Sequence, residues 1–458
     1  MRKKNYEIDM CNGPLFGKII VFSVPMILSG ILQLLYNAAD VVVVGRFTGS
    51  TALAAVGSTG SLTNLIISLF MGLSVGTSVT VAQYYGAGDW KNVNQAVHTS
   101  IATSVICGII VGILGICMAE KFLILMDTPG DVLDQATLYM RIYFAWIPAS
   151  MIYNFGSAIL RAAGDTRRPF VFLSISGLVN VVLNLIFVVF FRMGVAGVAW
   201  ATVISQVISA VLIIICLVQF NGPCRLNLKG IKVYSDKLWK IVKIGLPAGL
   251  QGSIFAVSNV MIQSSVNSFG SAVMAGNSAA SNIEGFIYVA MNSIYNTALT
   301  FTGQNVGAKK YDRINRILGI CILTVVSIGV VMGVTVLLLD WQLLSIYAPN
   351  NTEVIEYGVT RLNIIAKTYF LCGMMDVMVG MLRGMGKSFM PMVVSVVGVC
   401  GIRISWILLI FAQSRDLATL YASYPVSWFA TFTIHFITFM IIKKRVESKE
   451  KVLEVQPV

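Results

Sequence analysis

The chain is poor in charge. Of its 458 residues, 12% are Asp, Glu, Lys or Arg, against about 25% in an ordinary soluble domain. It has only two histidines, His98 and His435, far apart in sequence. That argues against a His-rich metal box. The eight cysteines (11, 107, 117, 216, 224, 321, 372 and 400) are scattered, most of them inside apolar runs, and none forms a Cys-x-x-Cys pair. They read as small buried apolar side chains, not as thiolate ligands or a redox couple. Paired Asp-rich motifs and a Ser/His pair at one depth are also missing, which disfavours a polytopic membrane enzyme. No cofactor motif appears. No small-residue cleavage site follows the charged residues 1–14, and the next apolar run is too long for a signal peptide, so that run is expected to stay as a helix.

What the chain has in quantity is apolar sequence. Hydrophobic residues make up 57% of it, in runs that mostly reach the roughly 20 residues a helix needs to cross a bilayer. Twelve such spans are expected, at 16–46, 52–84, 93–119, 134–160, 169–191, 195–219, 238–268, 272–305, 314–339, 355–382, 389–412 and 420–442. No stretch is large enough for a separate soluble domain. The fold class is an all-α polytopic membrane protein.

The net charge of +13 sits in short connections between apolar runs, which points to membrane topology and away from nucleic acid. Arg2, Lys3, Lys4, Lys18, Lys91, Arg161, Arg167, Arg168, the basic 220–243 stretch, Lys309, Lys310, Arg313, Arg316, Arg383, Lys387 and the basic C-terminal tail all fall on one side of a twelve-span chain. The opposite connections carry Glu120, Asp127, Asp131, Asp134, Asp340, Glu353 and Glu356. The positive-inside rule then puts both termini in the cytoplasm of a multi-pass cell-membrane protein.

The chain repeats itself about 222 positions on. Pro25 recurs as Pro247, Gln83-Tyr84-Tyr85-Gly86-Ala87-Gly88 as Gln304-Asn305-Val306-Gly307-Ala308-Lys309, Leu160-Arg161-Ala162-Ala163-Gly164 as Leu382-Arg383-Gly384-Met385-Gly386, and Pro169 as Pro391. Six spans per repeat is an even number, so the repeats run parallel, related by a pseudo-two-fold axis along the membrane normal. The expected organisation is an N-lobe over 1–219, a linker over 220–237, a C-lobe over 238–442 and a tail over 443–458, with a cleft between the lobes. Such a repeat points to a transporter.

Asp40 is the residue that an apolar span should not contain. A carboxylate there costs roughly 2.5–3.5 kcal/mol on insertion scales and is a functional hypothesis by default. It lies six residues before Arg46, on the order of 9 Å inside the outer end at about 1.5 Å per residue. Asn184 and Thr202 reach similar depth in spans 5 and 6. Asn180 shares a helix face with Asn184, and Asn37 precedes Asp40 by three residues. One carboxylate with amide and hydroxyl oxygens is a hard-oxygen set that suits sodium or a proton. The alternative is a structural hydrogen-bond network.

In the second repeat, Glu284, Lys367 and Arg403 reach mid-membrane depth, with Asp376 deeper. Either the two acids and two bases neutralise one another, or Glu284 meets substrate or a second coupling ion. Tyr36, Tyr139 and Tyr153 are candidates to line a pocket for flat cations. Met378 belongs to a methionine group over spans 10 and 11 that suits a promiscuous apolar surface, the alternative being ordinary packing or lipid-facing methionine.

The pieces Leu35-Tyr36-Asn37-Ala38-Ala39-Asp40 with Val44-Gly45, Ala54-Ala55-Val56-Gly57, Gln83 to Gly88, and Leu160-Arg161 to Gly164, with their second-half echoes, resemble the multidrug and toxic compound extrusion (MATE) family over nearly the whole chain. The resemblance implies a monomeric, two-lobed antiporter that exports cationic or amphiphilic drugs against sodium or protons, with its first-lobe cation site at Asp40, Asn180 and Thr202. Many members have Asp where this chain has Asn184. Span 7 carries no acid, so the second-lobe acidic site of some members is not expected. A lipid-linked saccharide flippase is the related rival; it would need a buried basic cluster that the first lobe lacks.

Overall fold

A computed structural model describes residues 6–48, 50–126, 128–349 and 351–455. Arg2, Lys3, Lys4 and Asp127, used above for topology, lie outside the described residues. Every regular element of the described chain is helical, with no strand among the described residues. Its α-helices are α1 (Leu15–Phe47), α2 (Ser50–Gly86), α3 (Trp90–Leu125), α4 (Gly130–Ala145), α5 (Ile147–Ala162), α6 (Arg167–Asn184), α7 (Gly194–Val218), α8 (Ser235–Asn267), α9 (Ser271–Gly307), α10 (Asp312–Leu338), α11 (Asp340–Tyr347), α12 (Thr352–Gly384), α13 (Phe389–Ser395), α14 (Ile402–Trp406) and α15 (Leu417–Val455).

Ten helical stretches among the described residues are long and apolar enough to cross a membrane. The other two of the twelve spans are α9 and the α4–α5 pair. The 37-residue α9 is long enough, but Asn277, Asn282, Glu284, Asn292 and Asn296 lower its hydropathy. The expected span 134–160 is two helices that meet at Trp146, because Pro148 occupies the first turn of α5 and removes a backbone donor. The π-helical segment Leu185–Phe190 follows α6, and Val396–Gly401 and Ile407–Phe411 flank α14.

The chain divides into two compact units. One comprises Val24–Leu250 with the N-terminal segment up to Asp9; the other comprises Met10–Ser23 with the chain from Gln251 onward. The division falls within α1 and α8, and the whole 220–237 stretch packs with the first unit.

In the first unit, Phe144, Phe155, Met140, Ile147 and Met151 centre a core shared by α4 and α5. Two glycine pairs bring α2 against the start of α8. Gly72 and Gly76 lie on backbone atoms of Ile241, Gly245 and Gly249, and neither leaves room for a Cβ. Each pair is spaced Gly-x-x-x-Gly, the pattern that lets membrane helices approach backbone to backbone.

The repeats end their helices alike. Gly164 (φ +97°) and Gly386 (φ +77°) take left-handed conformations after α5 and α12. Gly164 N donates to Arg161 O (2.9 Å) and Asp165 N to Leu160 O (2.9 Å); Gly386 N and Lys387 N do the same to Arg383 O and Leu382 O (2.8 and 3.0 Å). Arg383 itself is buried. It donates to Tyr295 Oη (2.7 Å) and Gln251 Oε1 (2.9 Å), so it ties α12 to α9 and α8 as well as ending its helix.

Candidate functional site

Asp40 stands seven residues before the end of α1. It is half-buried, in the first unit. Asn184 Nδ2 donates to Asp40 Oδ1, and also to Asn180 Oδ1 at 3.2 Å. Asn180 and Asn184 are buried one turn apart on α6, and the helix changes to its π-helical segment directly after Asn184. Interruptions of this kind are frequent at functional sites.

Among the described residues, no Lys or Arg pairs with Asp40. Among the described residues, two side-chain oxygens on α6 and α7 are also without donors. Asn184 Oδ1 is buried with no hydrogen-bond partner, because the amide is oriented to present its nitrogen to Asp40. Thr202 Oγ1, on α7, is likewise buried and unpartnered. An orphaned buried oxygen costs about 1–3 kcal/mol. One anionic oxygen with several neutral ones is the kind of donor set that hard cations take.

One aromatic residue, Tyr139 on α4, is within electrostatic reach of the carboxylate. It stacks on Tyr143, with ring centroids 6.3 Å apart and planes 12° from parallel. Tyr143 in turn reaches Gln206 on α7. Tyr36 lies flat against Gly177 of α6, where a Cβ would have no room, and its hydroxyl points at Ser174 O (3.4 Å). Asn37 is exposed. Tyr153 is placed elsewhere; its hydroxyl donates to Pro169 O (3.1 Å) and joins α5 to α6. Met378, at 0% exposure, is packed inside the second unit.

The second unit corrects one expectation. Glu284 does not sit in a four-membered cluster with Lys367, Asp376 and Arg403. Lys367 is exposed. The partner of Glu284 is Arg361 on α12, which donates Nε to Oε1 (3.0 Å) and Nη2 to Oε2 (2.7 Å), and Nη1 to Asn277 Oδ1 (2.7 Å). Tyr421 Oη adds a fourth bond, to Asn277 (3.2 Å). Arg361 was legible: it lies nine residues into α12, and Glu284 lies thirteen into α9. Asp376 lies in the field of Arg383.

Both histidines have partners. His98 Nδ1 donates to Asn94 O (2.8 Å), and its Nε2 accepts from Asn227 N (3.1 Å), holding the 220–237 stretch. His435 Nε2 is paired with Ser395 Oγ (2.9 Å). No group of three or more His, Cys, Asp or Glu side chains is placed to hold a metal among the described residues.

The profile of the MatE family matches residues 25–186 and again 247–409, once in each repeat. The chain belongs to the MatE family. It is therefore a membrane transporter and not an enzyme. This MatE protein is 24% identical over 433 residues to the probable multidrug resistance protein YoeA of Bacillus subtilis, covering 93% of each chain. It is 23% identical to the probable multidrug resistance protein NorM of Thermotoga maritima, over 83% of this chain and 82% of that one. Its fold matches a solved structure described as a MOP superfamily transporter from Pyrococcus furiosus whose reversed binding-pocket polarity suggests a different function. The TM-score there is 0.91 at 22% identity, covering 97% of this chain and 100% of that one. It also matches the outward-facing conformation of a multidrug resistance MATE family transporter, with a TM-score of 0.89 at 21% identity over 98% and 100% of the two chains.

Proposed function

We propose that this MatE protein is a cation-coupled antiporter. It exports cationic or amphiphilic small molecules from the cytoplasm across the cell membrane by alternating access, as a monomer with both termini inside. The observation that carries this reading is the carboxylate of Asp40, held by the Asn184 amide and paired with no Lys or Arg among the described residues.

Asp40 supplies the charge at the coupling site. Asn180, Asn184 and Thr202 supply neutral oxygens. A half-turn of the Asn184 amide exchanges its donor for its acceptor, so the site has one arrangement suited to the empty carboxylate and another suited to bound sodium. A proton taken up by Asp40 serves the same end by neutralising the carboxylate. A coupling ion shifts an equilibrium only through different affinities for its two states, and the change at Asn184 gives that difference a local origin. Tyr36, Asn37 and Tyr139 are the residues assigned to substrate. The names of the relatives, all multidrug resistance or export proteins, support this cargo class.

The test is ethidium efflux from proteoliposomes under an imposed sodium or pH gradient, comparing wild type with Asp40→Asn. The wild type should be driven by one of the gradients and the variant by neither. Full coupled efflux by the variant overturns the role of Asp40. Efflux that needs ATP overturns the antiport reading.

A further inference from the structure

The repeat shift of 222 positions carries Pro25 onto Pro247 and Pro169 onto Pro391. The same shift carries the surroundings of Asp40 onto a different set of residues. Asn37 maps to Asn259, Tyr139 to Arg361, Thr202 to Tyr424 and Gln206 to Trp428; Asp40 itself maps to Ile262. Arg403 stands one residue from the counterpart of Asn180, which is Ile402. These residues of the second unit meet in space. Arg403 lies 4.1 Å from the ring centre of Tyr424 and 5.8 Å from that of Trp428. Its Nε donates to Ser427 Oγ (3.1 Å), and its Nη1 reaches Asn259 Oδ1 at 3.4 Å. The second unit thus has a cationic, aromatic-walled counterpart of the first unit's acidic site.

The two buried guanidinium groups there differ. Arg361, on the other side of Tyr424 at 5.5 Å, is neutralised by Glu284. Arg403 is 5% exposed, yet among the described residues no carboxylate pairs with it. The titratable groups around it are the phenols of Tyr424 and Tyr369 and the thiols of Cys372 and Cys400. Among the described residues, no hydrogen bond is made by its Nη2. A charge inside a membrane protein is ordinarily paired or functional. Helix α14, which carries Arg403, lies between two π-helical segments, as Asn184 lies at the edge of one.

We propose that Arg403 anchors an oxyanion site in the second unit, which takes the carboxylate or phosphate group of an amphiphile. The planar guanidinium fork matches those two groups and is already laid on aromatic rings. Tyr369 and Trp428, 5.2 Å apart edge to face, offer apolar wall beside it. The proposal rests on the transporter reading only in making the ligand a cargo; binding to Arg403 needs no coupling ion.

The test is equilibrium binding to the purified full chain, read by fluorescence anisotropy without any ion gradient, so the outcome is separate from that of coupled efflux. The probes are rhodamine B, which carries a carboxylate, and its ethyl ester, which does not. Wild type should bind rhodamine B about tenfold more tightly than the ester, the scale of a charge-assisted hydrogen bond. Arg403→Gln should lose that preference while binding the ester unchanged, and Arg403→Lys should restore part of it. Competition by dodecyl phosphate but not inorganic phosphate identifies an amphiphilic ligand; competition by both identifies the oxyanion alone as sufficient. Equal binding of dye and ester by the wild type, or an unchanged preference in Arg403→Gln, overturns the proposal.

Discussion

Asn184 presents its amide nitrogen to Asp40 and leaves its own oxygen buried without a donor. An Asn at this place can donate to the carboxylate or turn to share a cation with it. An Asp could only repel it until a proton or metal ion arrived. Asn184→Asp is therefore expected to add an ionisable group to the site and raise the number of cations exchanged per cargo. Reversal-potential measurements of efflux in proteoliposomes check this; an unchanged stoichiometry would count against a shared site.

Thr202 Oγ1 has no hydrogen-bond partner to lose. Thr202→Val removes that orphaned oxygen and should accordingly raise thermal stability, by up to about 1–3 kcal/mol. If the chain is sodium-coupled, the sodium concentration for half-maximal efflux should rise by about tenfold or more, as expected for a lost contact to a charge worth roughly 1.5–3 kcal/mol. Equal sodium dependence in wild type and variant argues that Thr202 is not a ligand.

The buried Glu284–Arg361 pair gives a stability prediction. Removing one partner leaves an unpaired charge and should cost about 3–5 kcal/mol, whereas replacing both by well-packed apolar residues is often neutral. Glu284→Met should lower the unfolding temperature in detergent sharply, and the double variant Glu284→Met/Arg361→Met should recover most of the loss. Failure to recover would show that the bonds to Asn277 and Tyr421 carry the network instead.

Close approach of α2 and α8 depends on Gly72, Gly76, Gly245 and Gly249. Gly72→Leu should destabilise the first unit by about 1–3 kcal/mol, the usual cost of overpacking. Loss of a monodisperse elution peak, or a lower unfolding temperature, is the readout. An unaffected protein would show that the two helices can separate at little cost.

His98 holds the segment after α7 through a backbone N–H, which only an unprotonated Nε2 can accept. His98→Ala should make the chain several-fold more sensitive to trypsin at Arg225 and Lys229. Cys224, in the same segment, is fully buried. Burial, with a contribution from the Glu7 charge, pushes its thiol above the usual range, so little thiolate is available. It should resist maleimide in the native wild type, label rapidly after unfolding, and become labelled in native His98→Ala.

The linear chain by itself determined the all-helical membrane class, the two repeats, and the match of Asp40 with Asn184 and Asn180. The match was legible because a helix rises by a fixed amount per residue, and the repeats because Pro and Gly recur where backbone geometry demands them. Only the tertiary structure decided the partners. Arg361 pairs with Glu284, while Arg403 pairs with no acid among the described residues, and Lys367 is exposed. Depth along a helix is one coordinate; which way a side chain faces depends on how the helix is rotated and packed against its neighbours. The break between α4 and α5 and the π-helical segments beside Asn184 and Arg403 change that rotation locally, and so set which groups meet.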